Sequence, residues 1–448
     1  MSGPGSEEEK HKLIEDSEGA QRSPKKDGTR VFKKASPNGK ITVYLGKRDF
    51  LDHVTSVDPI DGVVLIDTDY FTKEGKTDRK VFAQVLTGFR YGRDDLDVLG
   101  LNFRRDLVDE RIQVYPPPEP PSPQLVTLLQ IRLMKKLGIN AYPFTFSLRT
   151  GLPSSITLQP AQNGEGEKPC GVDFILRCYV AKNPEDKIEK RNSVRLAVKK
   201  ITHAPIDRTE RPSADVTKEF MLSTRPLTVE ANLEKGTYYH GESIKVNVAI
   251  SNQSSRTVKK IRVQVRQFAS ICLFSNSEYK CVVAQVDSEE GFPVATGGSL
   301  QRTYELTPLL KDNRDKRGLA LDGQIKHEDT CLASSTILPP GVEETREVKE
   351  NLGIVVRYSV KVRLSVAFGS DLTLQLPFTL THPKPLEPVI SQMVTLPSRQ
   401  SIISTHDAVN HNLITLDMGG QHGEEDFVFE EFVRLRVAGI EEGNETEA

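Results

Sequence analysis

Cationic residues at alternating positions are the first sign of chemistry in this 448-residue chain. In Lys260-Ile261-Arg262-Val263-Gln264-Val265-Arg266, an extended backbone puts the polar side chains on one face and Ile261, Val263 and Val265 on the other. Lys361 and Arg363 repeat the pattern within residues 360–364. Like charges facing one another across strands repel. The pattern therefore reads either as an ordinary solvated face or as the seat of a multivalent anion. A second group sits near the carboxyl end, in Leu413-Ile414-Thr415-Leu416-Asp417 and Phe429-Glu430-Glu431-Phe432-Val433-Arg434-Leu435-Arg436. Around these motifs lie Ser, Gln, His, Gly, Asp and Glu, which bury too little apolar surface to offset the entropy of ordering. Apolar residues kept in such a tail call for another surface to dock on, which points to recruitment rather than catalysis.

Two loops add to this. Residues 91–100 carry Leu96, Val98 and Leu99 among Asp94, Asp95 and Asp97. They form either a plain turn or a tip that enters a partner's cavity. Residues 115–123, with six prolines, favour polyproline II and serve either as a stiff spacer or as a ligand for proline-recognising domains.

Signatures of catalysis are missing. The chain has no Walker loop, no G-x-G-x-x-G, no G-x-S-x-G and no H-E-x-x-H. Only a site assembled from distant residues stays open, and the chain reads as a binding protein, not an enzyme. Cys170, Cys178, Cys272, Cys281 and Cys331 include no C-x-x-C pair, and the nine histidines are scattered, so no metal site is expected. An odd cysteine count suits a reducing cytosol. The first 19 residues are acidic and lack the hydrophobic core of a secretory leader. No apolar run approaches the roughly 20 residues of a membrane span. With 60 Lys and Arg against 62 Asp and Glu, the net charge of −2 gives no global attraction to nucleic acid.

The elements that must position these groups are mostly strands. Residues 41–45, 62–66, 80–89, 155–158, 172–181 and 193–201 read as strands, separated by turns rich in Pro, Gly and Asp. Within 124–138, Leu129, Leu133 and Leu137 form one stripe at helical spacing, Lys135 and Lys136 stand near its end, and Gly138 is a suitable stop. A lone amphipathic helix among strands must lie on a sheet to bury that stripe. Residues 202–225 read as a connection, and a second set of strands follows at 227–233, 243–251, 258–266, 279–286, 302–306, 354–366 and 372–380. The fold expected is all-β: two antiparallel β-sandwich domains, one short amphipathic helix and a flexible carboxyl-terminal tail. The expected boundaries are 1–28 for a disordered extension, 29–201 and 226–386 for the sandwiches, 202–225 between them, and 387–448 for the tail.

Several blocks carry a resemblance. Residues 31–40 (VFKKASPNGK) run on through 44–50 (YLGKRDF), and later come 91–101 (YGRDDLDVLGL), 191–196 (RNSVRL), 316–323 (KRGLALDG) and 327–330 (HEDT). With the two tail motifs, these closely resemble the arrestins, and the tail resembles that of the non-visual, beta-type members. The likeness covers nearly everything from about residue 29 onward. It implies a protein that binds activated, phosphorylated G-protein-coupled receptors, ends G-protein coupling, and links receptors to clathrin-mediated endocytosis. It implies cytoplasmic location with recruitment to the plasma membrane and coated pits, peripheral membrane contact, and Src-type and MAP kinases as further partners.

The same resemblance implies residue roles. Lys33, Lys34, Arg48, Lys135, Lys136 and Lys326 would sense receptor phosphates. Asp49, Arg195, Asp322, Asp329 and Arg434 would form a polar core, and residues 94–100, including Gly100, would enter the receptor's cavity. Arg262, Arg266, Lys280, Lys361 and Arg363 would bind inositol hexakisphosphate or a phosphoinositide, with no other cofactor implied. Leu413, Ile414, Leu416 and Asp417 resemble a clathrin-binding box, and Phe429, Phe432 and Arg436 resemble contacts to the clathrin adaptor's appendage. Residues 1–28 and 71–78 depart from the family's pattern, as does 159–170. In the implied mechanism the tail lies beside the first strand and the leucine stripe until phosphates compete for its charges. The alternative is a general trafficking adaptor or phosphoinositide-binding scaffold of the wider arrestin type.

Overall fold

The computed structural model describes residues 29–73, 78–91, 103–118, 124–159, 170–205, 211–221, 223–272, 277–323, 331–383, 393–396 and 427–431. Among these, no helix is long and apolar enough to cross a membrane. Two pairs of β-sheets dominate, and the reason is visible strand by strand. In Leu227–Leu233, Leu227, Val229, Ala231 and Leu233 are buried while Thr228, Glu230 and Asn232 are not. That period of two is what a half-buried sheet requires.

In the amino-terminal half, one sheet has five strands in the order Phe427–Glu431, Thr29–Ala35, Ile41–Leu45, Ile60–Ile66, Ala141–Phe146. The other is built on Cys170–Ala181. Along one edge this strand pairs with Lys80–Tyr91, which pairs in turn with Phe103–Tyr115. Its other edge is shared between Ile156–Leu158 and Ser193–Thr202. Ser193–Thr202 continues in parallel to Asp49–Asp52. The inner faces meet through buried Ile41, Val43, Phe144, Val85, Phe174 and Leu196. In the other half, Ser213–Lys218, Leu227–Leu233, Ile244–Asn252 and Gly298–Leu306 make a four-stranded sheet. Its five-stranded companion runs Thr237–Tyr239, Leu372–Thr381, Ile354–Val366, Val258–Ile271, Ser277–Ser288. The short strand Ala320–Asp322 leaves this half and pairs with Ile156–Leu158 of the first, so the halves are joined by a ladder as well as by the chain.

Three sequence expectations need correction. The helix occupies Leu128–Leu137 only. The preceding Gln124–Thr127 is a strand that pairs with Met393–Leu396, a partner that helical spacing cannot reveal. The 202–225 connection contains a strand, Ser213–Lys218, which completes the four-stranded sheet. Phe103–Tyr115, not anticipated at all, is a long and highly charged strand paired along Lys80–Tyr91.

The helix is fixed at both ends. Thr127 Oγ1 accepts from the Gln130 amide at 3.3 Å, and Gln130 Oε1 accepts from the Thr127 amide at 2.8 Å. This reciprocal capping box satisfies two amides that a helix start leaves open. The Gln130 side-chain amide also donates to the carbonyls of Gly62 and Phe144 at 2.9 and 2.8 Å, tying the helix to the sheet. Gly138, at φ 85°, ends it. Leu129, Leu133 and Met134 turn inward against Val31, Tyr44 and Val63. Gly46 permits that approach, because a Cβ there would stand 2.1 Å from Leu129 Cδ2.

Candidate functional site

The first strand and the helix together form a groove, and the tail segment Phe427–Glu431 lies in it. The segment pairs in parallel with Thr29–Ala35, from Thr29 opposite Phe427 to Lys33 opposite Glu431. Phe429 packs on the cluster of Val31, Tyr44, Leu129 and Leu133. Its ring meets Tyr44 edge-on at 5.7 Å, and Lys136 Nζ sits over the ring at 5.4 Å. Lys33 and Lys136 thus flank this groove, Lys33 by the ladder and Lys136 by the ring, with Lys135 exposed on the last helical turn, while Lys34 reaches the Arg195 carbonyl of the other sheet at 3.0 Å. Arg48 stands over the Phe32 ring at 4.3 Å.

The parallel ladder brings Lys199 to Asp49. Arg195 lies on the exposed part of the same strand, and its carbonyl accepts from Lys34 Nζ at 3.0 Å. Lys199 has its ammonium 3.7 Å from Asp49 Oδ1, and its side chain is only 6% exposed. Residues four apart in a strand share a face, but they are about 13 Å apart along it. A pattern of charges alone therefore does not show that Lys199 reaches Asp49, whereas the parallel pairing does. Its neighbour Lys200 is buried as well, ion-paired with Asp52 and donating to the Leu152 carbonyl at 2.8 Å. Burial pushes the Lys200 ammonium below its usual range, and Asp52 acts against that shift.

Asp322 is 2% exposed at the end of the strand that bridges the halves. Its carboxylate accepts from the Ser334 amide at 3.2 Å and contacts His382 Nε2. Lys199 approaches from the other side: a Cβ at the adjacent Gly323 would stand 3.7 Å from Lys199 Cγ. Asp49 and Lys199 thus lie beside the bridging strand at the junction between the halves. Neither His382 nor His240, whose rings lie 4.6 Å apart, was anticipated, because these histidines are distant in sequence from Asp322 and from each other.

The cationic strands form a continuous outer face in the second half. Arg262 lies directly opposite Arg363 in the ladder. Each is held by a carboxylate: Arg262 by Asp287 at 2.6 and 3.2 Å, Arg363 by Asp371 at 2.6 Å. Arg266 donates to Gln264 Oε1 at 2.8 Å. Lys280 pairs with Glu278 at 2.9 Å. Partial burial and the neighbouring Arg266 and Arg363 lower the pKa of Lys361. Such a face gains when an added anion relieves its crowding.

Lys326, Asp329, Arg434 and residues 94–100 lie outside the described residues, as do Leu413, Ile414, Leu416, Asp417, Phe432 and Arg436.

Comparison with known proteins agrees with this architecture. The family model for the arrestin (or S-antigen) N-terminal domain matches residues 41–204, and that for the C-terminal domain matches 223–385. The chain is similar to Beta-arrestin-2 of Mus musculus, 52% identical over 420 residues, which covers 93% of this chain and 97% of that protein. Beta-arrestin-2 of Homo sapiens is 52% identical over 419 residues with the same coverage. Arrestin red cell isoform 2 of Oncorhynchus mykiss is 49% identical over 415 residues, covering 93% of this chain and 98% of that protein.

Proposed function

The chain belongs to the arrestin family, among its beta-type, non-visual members, and from that premise we propose that it binds activated, phosphorylated G-protein-coupled receptors, ends their G-protein coupling and hands them to the clathrin machinery. One observation carries the reading: the tail strand Phe427–Glu431 occupies a groove flanked by Lys33 and Lys136, with Lys34 next to Lys33 on the same strand. A phosphate brings about −1.5 to −2 charge and three acceptor oxygens. A multiply phosphorylated receptor tail competes for those lysines and lifts the peptide out.

The tail leads to Arg434, three residues past the described strand, so Arg434 joins Asp49, Arg195, Asp322 and Asp329 in a charged core between the halves, with Lys199 beside Asp49. The ladder is short, and its edge contacts are few. Removing one partner from a buried charge group typically costs roughly 3–5 kcal/mol, because the other charge is left uncompensated. Such a core is therefore stable until a stronger anion arrives, and then opens as a unit. Release presents Phe429, Phe432 and Arg436 to the adaptor, while Leu413, Ile414, Leu416 and Asp417 engage clathrin. Residues 94–100 enter the receptor's cavity. The face built on Arg262, Arg266, Lys280, Lys361 and Arg363 takes an inositol polyphosphate or phosphoinositide headgroup and holds the protein at the membrane. We place the domain boundaries near 29–201 and 226–386, with the strand Ser213–Lys218 assigned to the second domain. The protein acts in the cytoplasm and is recruited to the plasma membrane, where Src-type and MAP kinases join it.

The direct test is capture by active receptor with and without its phosphorylated tail. Phosphorylation should raise capture at least tenfold, and Lys33→Ala with Lys34→Ala should remove most of that gain. Equal capture of both receptor forms would rule out the reading.

A further inference from the structure

We propose that His240, Asp322 and His382 form a binding site for a borderline divalent metal ion of the Zn2+ class, at the junction of the two halves. One ligand atom from each of the three residues lies within 4.8 Å of the others. Two imidazole nitrogens and one carboxylate oxygen are a donor set such ions favour, leaving a fourth position for water. Tetrahedral bonds of about 2.0–2.1 Å put ligand atoms about 3.4 Å apart, so closure around an ion asks for side-chain shifts of roughly 1 Å.

The backbone builds the site. Thr237–Tyr239 pairs in parallel with Leu372–Thr381, with Tyr239 opposite Thr381. The residues that follow, His240 and His382, therefore emerge side by side, with ring centroids 4.6 Å apart and planes at 56°. The His240 amide donates to the Thr381 carbonyl at 3.0 Å, which fixes the offset. Asp322 arrives from the bridging strand and is nearly inaccessible to solvent.

The surrounding shell suits a ligand set. The Ser334 amide donates to Asp322 Oδ1 at 3.2 Å, leaving Oδ2 toward His382. His382's own carbonyl is met by His203 Nδ1 at 2.9 Å. His240 Nε2 touches the Ser334 hydroxyl at 3.1 Å, a partner that can rotate away. Outer partners of this kind orient metal ligands.

A bound ion would hold the Asp322 carboxylate on the histidine side of the junction, away from Lys199. That consequence rests on the charged core proposed above; metal binding itself does not. The test needs no receptor. Full-length protein stripped of metal is titrated with Zn2+ against a chromophoric chelator, and with Co2+ followed by visible absorption. The expected result is one equivalent bound with a Kd of about 1 µM or tighter. His240→Ala and His382→Asn should each weaken binding by more than about tenfold, while His11→Ala leaves it unchanged. Thermal melts establish that the variants are folded. If the His382 variant fails to fold, His240→Ala, which removes the Ser334 contact, the ring contact with His382 and one ligand, carries the test. Binding weaker than about 1 µM, or tight binding that survives His240→Ala within tenfold, overturns the proposal.

Discussion

Replacing Phe429 by Ala should loosen the tail by an amount the structure lets one calculate. Phe429 is half-buried on Val31, Tyr44, Leu129 and Leu133. Full burial of such a side chain is worth about 1.5–3 kcal/mol, so half of it contributes about 1 kcal/mol. The edge contact with Tyr44 at 5.7 Å adds about 0.5–1 kcal/mol. Lys136 over the ring adds about 0.5 kcal/mol at this exposed position. Together these come to about 2–2.5 kcal/mol, or roughly 30- to 70-fold in the docking equilibrium. The adaptor is a poor readout, because Phe429 is also a proposed adaptor contact. A phosphopeptide titration followed by tail-to-helix distance separates the two roles. The midpoint for release should fall by at least tenfold in the variant, and hydrogen exchange should accelerate at the amides of residues 29–33. A midpoint within threefold of the parent would show that the aromatic seat does not hold the tail, and the calculation would fail.

Four further outcomes follow from the same geometry. Arg195→Glu removes a guanidinium from the proposed charged core and should permit capture of active but unphosphorylated receptor; Lys199→Glu, which replaces the attraction to Asp49 by repulsion, should act in the same direction. Asp287→Asn with Asp371→Asn should raise affinity for inositol hexakisphosphate severalfold by calorimetry, since the two carboxylates no longer compete for Arg262 and Arg363. The lowered pKa of Lys361, caused by partial burial and then by Arg266 and Arg363, should rise when that polyanion binds. Binding then takes up protons, so affinity falls as pH rises through the free-state pKa, and Arg266→Ala should raise that pKa, as read by NMR of the methylated lysine. Gly46→Ala should force Leu129 out of its position and lower the melting temperature by several degrees, whereas Gly39→Ala, with open space around it, should be governed by its backbone at φ 69° alone.

Much of the fold was legible because burial writes a period of two into strands such as Ile41–Leu45 and Ile354–Val366. What was missed was decided by partners distant in sequence. Gln124–Thr127 continues the helical pattern but is drawn into a strand by residues near 395. Ser213–Lys218 has only Ala214 and Val216 to mark it, because it is an edge strand with most of its side chains in water. Phe103–Tyr115 carries charges through most of its length, again the habit of an edge. The candidate site divides the same way. The cationic face was readable from alternation and the groove lysines from the family resemblance of residues 31–40, while the approach of Lys199 to Asp49 depended on which residue the Asp49 strand pairs with. The pairing of His240 with His382 depended on a parallel register between Thr237–Tyr239 and Leu372–Thr381.

Central to the account is a tail held in a lysine-lined groove by contacts that phosphate can replace. Spin labels at Ile139, beside the exposed end of the helix, and at Val437, in a background lacking Cys281 and Cys331, report that state as a distance distribution. The account predicts a short, narrow distribution for the free protein and a long, broad one with saturating multiply phosphorylated receptor peptide, the unphosphorylated peptide having no effect. Indistinguishable distributions with and without the phosphorylated peptide would contradict it.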